Sequence, residues 1–272
     1  MSAIDTRFQE MRAAGRKALI PFITAGDPSL TFTRAVVEEL DRRGCSLCEL
    51  GIPYSDPIAD GPVIQASYTH ALAAGVTLSN ILATTGDLTR SVTTPLVMMV
   101  SLAIIQRRNP SRFVSEAVQA GVSGLIIPDL LLEEAAPMAE LCRQADLSLI
   151  RLVTPTTPRE RAIRIAEQST GFLYYVSIAG ITGERSELPP DLVDNVRWVR
   201  ERTACPVCIG FGISQPEHVR HLAPVADGLI VGSAIMRRVA AARELATNET
   251  QVVAEIGQYV QTLLDALPVA KT

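Results

Sequence analysis

The sequence predicts an α/β protein built as a single (β/α)8 TIM barrel, one domain over residues 1–272, with an extra N-terminal helix and long loops after the second and sixth strands. Three observations carry this. Eight short apolar runs recur along the chain, helical periods lie between them, and no Pro/Gly/Ser-rich linker divides it. Each run is apolar almost without interruption, as in a strand buried on both faces.

The runs are LIPFIT (19–24), LCELG (47–51), LVMMVS (96–101), GLIIPD (124–129), LSLIRLV (147–153), FLYYVS (172–177), VCIGFG (207–212) and DGLIVGS (227–233). Between the first two, Val36, Val37 and Leu40 share a helical face, preceded by Asp27-Pro28-Ser29 and followed by Gly44. Phe113, Ala117 and Gly121 mark a later helix, and Thr157-Pro158 opens another. Leu192, Val196 and Val199 stand at i, i+4 and i+7 before the seventh run. Val253, Ile256, Val260, Leu263 and Leu267 give the last helix its apolar stripe. A doubly wound open sheet would need G-x-G-x-x-G after the first strand, where the chain has Ile23-Thr24-Ala25-Gly26-Asp27.

Composition narrows the function. At 272 residues, 47% hydrophobic and 20% charged with net charge −4, the chain is long enough to bury a core unaided. The acidic balance argues against nucleic-acid binding. No apolar run approaches membrane-spanning length, and the polar N-terminus lacks a signal-peptide core, so a cytoplasmic enzyme with reduced cysteines is expected. Cys45-x-x-Cys48 and Cys205-x-x-Cys208 run into strands rather than helix N-termini, and those strands are not barrel neighbours. They read as inert thiols, not as a redox or zinc site. With only His70, His218 and His221 available, no metal is expected.

Two stretches break the rhythm: 52–77 after the second strand and 178–191 after the sixth. In a barrel both lie at the C-terminal face, where catalytic groups gather. Gly210-Phe211-Gly212 and Gly232-Ser233-Ala234 end the seventh and eighth strands, the usual place for a phosphate held by backbone amides, and Gly183 stands where it could close that pocket. Glu49 sits in an apolar strand, which is costly unless it faces a functional cavity; burial there should raise its pKa and fit it for acid/base work. Asp56 and Asp60 follow in a Pro- and Gly-dense loop. Asp56 fits a turn former better, but spacing alone does not decide between them. Of Tyr174 and Tyr175, alternation sends one into the barrel and one outward without saying which.

The stretches PFITAGDPS, ELGIPYSDPIADGPVIQASYTHALAAGVT, GLIIPDL, SIAGITG, GFGIS and GLIVGSAI resemble the α subunit family of tryptophan synthase, over about residues 8 to 265. The resemblance implies a (β/α)8 lyase that cleaves indole-3-glycerol phosphate to indole and glyceraldehyde 3-phosphate. It implies that Glu49 is the acid/base glutamate, Asp60 the aspartate holding the indole N–H, and Tyr174 an assisting tyrosine. Phe22 and Ile64 then match indole-pocket positions, and Gly183, Gly212, Gly232 and Ser233 phosphate-binding ones. Leu102, Thr182 and Phe211 complete the substrate-binding positions. No cofactor is implied for this chain, since pyridoxal phosphate belongs to the β subunit of an α2β2 heterotetramer. The chain departs from the family pattern at Leu102, which stands for an aromatic residue, at Leu131, where the family has proline, and at Ile178-Ala179. Those changes leave two alternatives to a β-coupled lyase: a weakly catalytic barrel that chiefly activates a β subunit, and a stand-alone lyase that releases free indole.

Overall fold

The computed structural model describes residues 2–57, 60–177, 190–210, 212–244 and 248–268. Its eight strands are all parallel and close in chain order into a barrel. They are β1 (Ala18–Thr24), β2 (Cys48–Gly51), β3 (Leu96–Met99), β4 (Gly124–Ile126), β5 (Ser148–Val153), β6 (Leu173–Val176), β7 (Val207–Gly210) and β8 (Gly228–Val231). Every apolar run of the sequence supplies one of them, and the side chains are buried on both faces of nearly every strand.

Helices wrap the outside. They run α1 (Ala3–Ala13), α2 (Leu30–Arg42), α3 (Pro62–Ala73), α4 (Leu78–Leu88), α5 (Leu102–Arg108), α6 (Pro110–Gln119), α7 (Ala136–Gln144), α8 (Arg159–Glu167), α9 (Leu192–Arg200), α10 (Pro216–Leu222), α11 (Ser233–Glu244) and α12 (Glu249–Leu264). The expected helical faces are the buried ones: Val36, Val37 and Leu40 on α2, Leu192, Val196 and Val199 on α9, and Val253, Ile256, Val260 and Leu263 on α12. Ser29 caps α2 by accepting from the Phe32 amide at 3.0 Å. Gly121 falls just beyond α6 at φ +74°, a left-handed turn that glycine adopts without strain.

The stretch 52–77 is shorter as a loop than the sequence reading had it. Twelve of its residues form α3, with Pro62 in the first turn and Ile64, Tyr68 and Ala71 buried at i, i+4 and i+7. Only residues 52–61 remain between β2 and that helix. The second expected long loop lies mostly in 178–189, outside the described residues, as do Thr182 and Gly183.

The N-terminal helix α1 covers the base of the barrel. Ser2 and Asp5 form a reciprocal cap at its start, and the Ser2 hydroxyl also meets the Ser148 hydroxyl at 2.7 Å, at the first residue of β5. The Gly171 amide donates to Asp5 at 3.2 Å, and Phe8 packs on Phe172 with ring centres 5.8 Å apart. The base is thus closed by apolar packing, which leaves the opposite rim as the open end.

Candidate active site

Strand alternation and two glycines decide what fills the open end. On β2, Glu49 and Gly51 face the same way. A Cβ at Gly51 would run into the Phe22 ring and stand 2.8 Å from the Tyr68 hydroxyl, so Phe22 of β1 and Tyr68 of α3 meet directly over the strand end. On β7, a Cβ at Gly210 would collide with the Tyr174 ring and hydroxyl. Tyr174 is therefore the inward tyrosine of β6 and Tyr175 the outward one. Both glycines are required by close approach of an aromatic ring, not by backbone angle.

Glu49 is completely buried, and neither carboxylate oxygen has a hydrogen-bond partner among the described residues. It sits beside Phe22 across β1 and Val97 across β3. Burial pushes its pKa well above the ordinary carboxylate range, because nothing compensates the lost hydration of the charged form. Asp60, partly exposed at the rim, is pushed up to about 6 by the same cause. Tyr174 is buried, and its hydroxyl is held well above its usual value by burial and by the charges of Glu49 and Asp60.

Two cavities meet at Asp60. The larger, about 210 Å³, is lined by Ile52, Tyr54, Asp60, Tyr68, Met99 and Asp129, among others. The smaller, about 30 Å³, is lined by Phe22, Asp60, Ile64, Tyr174, Gly212, Gly232 and Ser233, with Met99 again shared. Ser233 is the first residue of the twelve-residue α11, so the smaller cavity ends on the positive end of a helix, a natural seat for an anion. Gly232 allows that approach: a Cβ there would stand 3.3 Å from Phe22. The strand-seven turn adds Gly212 at φ +81°.

Eight of the sequence-predicted site residues thus converge: Glu49, Asp60, Tyr174, Phe22, Ile64, Gly212, Gly232 and Ser233. Leu102 does not join the cavity walls. It opens α5, where its amide donates to Asp129 at 2.8 Å, while Met99 lines both cavities from the end of β3. Phe211, Thr182 and Gly183 lie outside the described residues. Asp56 is exposed, accepts from the Ser55 hydroxyl at 2.6 Å and borders the larger cavity.

Sequence reasoning passed over two further groups. Tyr68 shares the buried face of α3 with Ile64, a spacing visible in the sequence. Asp27, read as helix punctuation, is only 1% exposed. It accepts from Ser67 at 2.6 Å and Arg243 at 2.7 Å, and His70 lies 3.0 Å away. That one carboxylate joins the loop after β1 to α3, which follows Asp60, and to α11, which begins at Ser233.

Other chemistry finds little support. Among the described residues no group of three or more His, Cys, Asp or Glu could hold a metal ion. All five cysteines are free. Burial pushes Cys45, Cys142 and Cys205 up to about 12, so these thiols stay protonated.

Comparison with known proteins agrees with this geometry. The family described as Tryptophan synthase alpha chain matches residues 8–267. The tryptophan synthase alpha chain of Rhodopirellula baltica is 51% identical over 278 residues, covering 99% of this chain and all of that protein. The subunit alpha structure from Legionella pneumophila superimposes with TM-score 0.89 at 33% identity, over 98% of each chain. A chain of the Pyrococcus furiosus tryptophan synthase a2b2 complex, solved to explain mutual activation, gives TM-score 0.85 at 34% identity, over 92% of this chain and 99% of that one.

Proposed function

Since the chain belongs to the tryptophan synthase alpha chain family, we propose that Glu49, Asp60 and Tyr174 are the groups with which it cleaves indole-3-glycerol phosphate to indole and glyceraldehyde 3-phosphate. This lyase reaction serves tryptophan biosynthesis. The observation that carries the residue assignment is Glu49 itself: a fully buried carboxyl with no hydrogen-bond partner among the described residues, on β2 beside Phe22, a wall of one of the cavities that share Asp60.

The proton inventory follows from the bond that breaks. A proton delivered to indole C3 dearomatises the five-membered ring and puts positive charge on it. Asp60, accepting from the ring N–H, stabilises that charge. Glu49, whose burial favours its neutral form, supplies the C3 proton and then takes the proton of the side-chain hydroxyl next to the ring. As that O–H proton leaves, the electron pair of the carbon–carbon bond returns to the ring, and the hydroxyl carbon becomes the aldehyde. Tyr174 assists from β6. Gly212, Gly232 and Ser233 hold the phosphate at the α11 terminus, which fixes the reacting carbon relative to Glu49. Phe22 and Ile64 pack against the substrate.

These are proton transfers and one scission, for which carboxylates suffice, so we assign the chain no cofactor and leave pyridoxal phosphate to a β subunit. The a2b2 assembly of the Pyrococcus furiosus relative supports the same partner here. No helix of the described residues is long and apolar enough to cross a membrane, and we read the chain as cytoplasmic.

The test is Glu49→Gln, assayed by indole release from indole-3-glycerol phosphate with and without a β subunit. Activity should fall roughly 10²–10⁴-fold, the size of a general acid/base contribution. Activity within a factor of a few of the parent in both conditions would overturn the assignment.

A further inference from the structure

Tyr68 is a wall of the larger cavity whose hydroxyl the proposed reaction leaves without a task. It is 3% exposed. It borders the same cavity as Asp60 and lies over Gly51. Successive same-face positions on a strand are separated by about 6.6 Å, so Tyr68 stands one pleat from Glu49, within the span of a glutamate side chain. Glu49, for its part, is a fully buried acceptor with both oxygens unpartnered among the described residues. A phenol donor and an unpartnered buried acceptor on adjacent positions of one wall are complementary, and the acceptor is costly to leave unpaired.

We propose that Tyr68 is the positioning residue of Glu49: its hydroxyl donates to the Glu49 carboxylate when that side chain turns toward the cavity. The proposal rests on the acid/base reading of Glu49 and adds to it what holds the charged form between the two proton transfers. Burial, and after it the charges of Asp60 and Glu49, hold the Tyr68 hydroxyl well above its usual value, in keeping with that geometry. The absence of a Cβ at Gly51 is what brings the phenol so close to the strand.

A donor to the charged form of an acid lowers its pKa, so removing the hydroxyl raises the pKa of Glu49 further. The titratable groups around Tyr68 are Glu49 from β2, Asp56, Asp60 and Tyr54 from the following loop, Asp129 from the loop after β4 and Tyr174 from β6. The readout must isolate one of them. Protein labelled with ¹³C at the glutamate δ-carbon leaves the aspartates and tyrosines silent, and the Glu49 signal is identified by its loss in Glu49→Gln.

Tyr68→Phe keeps the ring over Gly51 and removes only the hydroxyl. Its Glu49 titration midpoint should move up by about one pH unit, the counterpart of a tenfold change in equilibrium. The kcat for indole release should fall about tenfold at pH 7, with KM within a factor of two. A midpoint and kcat both unchanged, even with a lower melting temperature, would overturn the proposal and leave Tyr68 as packing. A moved midpoint with unchanged kcat would support the Tyr68–Glu49 bond and instead count against Glu49 as the proton carrier.

Discussion

Replacing Asp60 by asparagine should make the protein more stable, and only above a definite pH. In the folded chain the Asp60 carboxyl titrates at about 6, against an ordinary value near 3.8 when unfolded. Between those values the folded state holds a proton that the unfolded state has released. Stability therefore falls as pH rises from about 4 to about 6, and the cost stays constant above that. At 1.36 kcal/mol per pH unit, the gap between 3.8 and about 6 sets a ceiling of about 3 kcal/mol. Asp60 is partly open to solvent, which reduces this to about 1–2 kcal/mol. Asparagine has nearly the same shape and no charge, so Asp60→Asn should recover that amount at pH 7.5 and nothing at pH 3.5. Urea unfolding at half-unit pH steps, compared at equal m-values, reads the difference directly. A pH-independent difference, or a variant that is less stable at pH 7.5 than the parent, would refute burial as the origin of the raised pKa. The same substitution should slow indole release, since the group costly to the fold is the one assigned to the indole N–H.

Gly210→Ala should displace Tyr174, because the added methyl occupies the space of its ring and hydroxyl. A loss of about 1–3 kcal/mol by chemical unfolding, together with a lower kcat, is expected; wild-type values for both would show that the strand yields without moving the tyrosine. Phe8→Ala should cost about 3–5 kcal/mol by opening the packed base against Phe172, with kcat near the parent value in the folded fraction. A kcat that falls in the folded protein would mean that the base and the open rim are coupled.

The barrel was legible because nearly every strand is buried on both faces, so an unbroken apolar run such as LVMM or GLIV reads as a buried parallel strand. Where a choice depended on packing across the barrel, the sequence was silent. Tyr174 and Tyr175 are neighbours of one kind, and only the missing side chain of Gly210 lets the first turn inward. Glu49 stood out because a carboxylate in an apolar strand breaks the local rule. Tyr68 and Met99 obeyed it: an aromatic on the buried face of a helix and a methionine in a strand are ordinary core residues, and nothing local marks them as cavity walls. The helical period of Ile64, Tyr68 and Ala71 was present in the 52–77 stretch, but its dense opening of proline, aspartate and glycine resembles a loop. Leu102 was placed by resemblance alone; it opens α5 and packs against the apolar core there, outside the walls of both cavities.

The carboxylate of Asp27 has a consequence for anyone recombining this barrel with its relatives. Arg243 and Ser67 are separated by 176 residues of chain yet satisfy the same buried charge. A crossover placed between them inherits half of the arrangement from each parent, and a stranded charge in the interior is punished far more than a missing neutral contact. Segments that include α3 and α11 should therefore be exchanged as a matched set with the turn that carries Asp27.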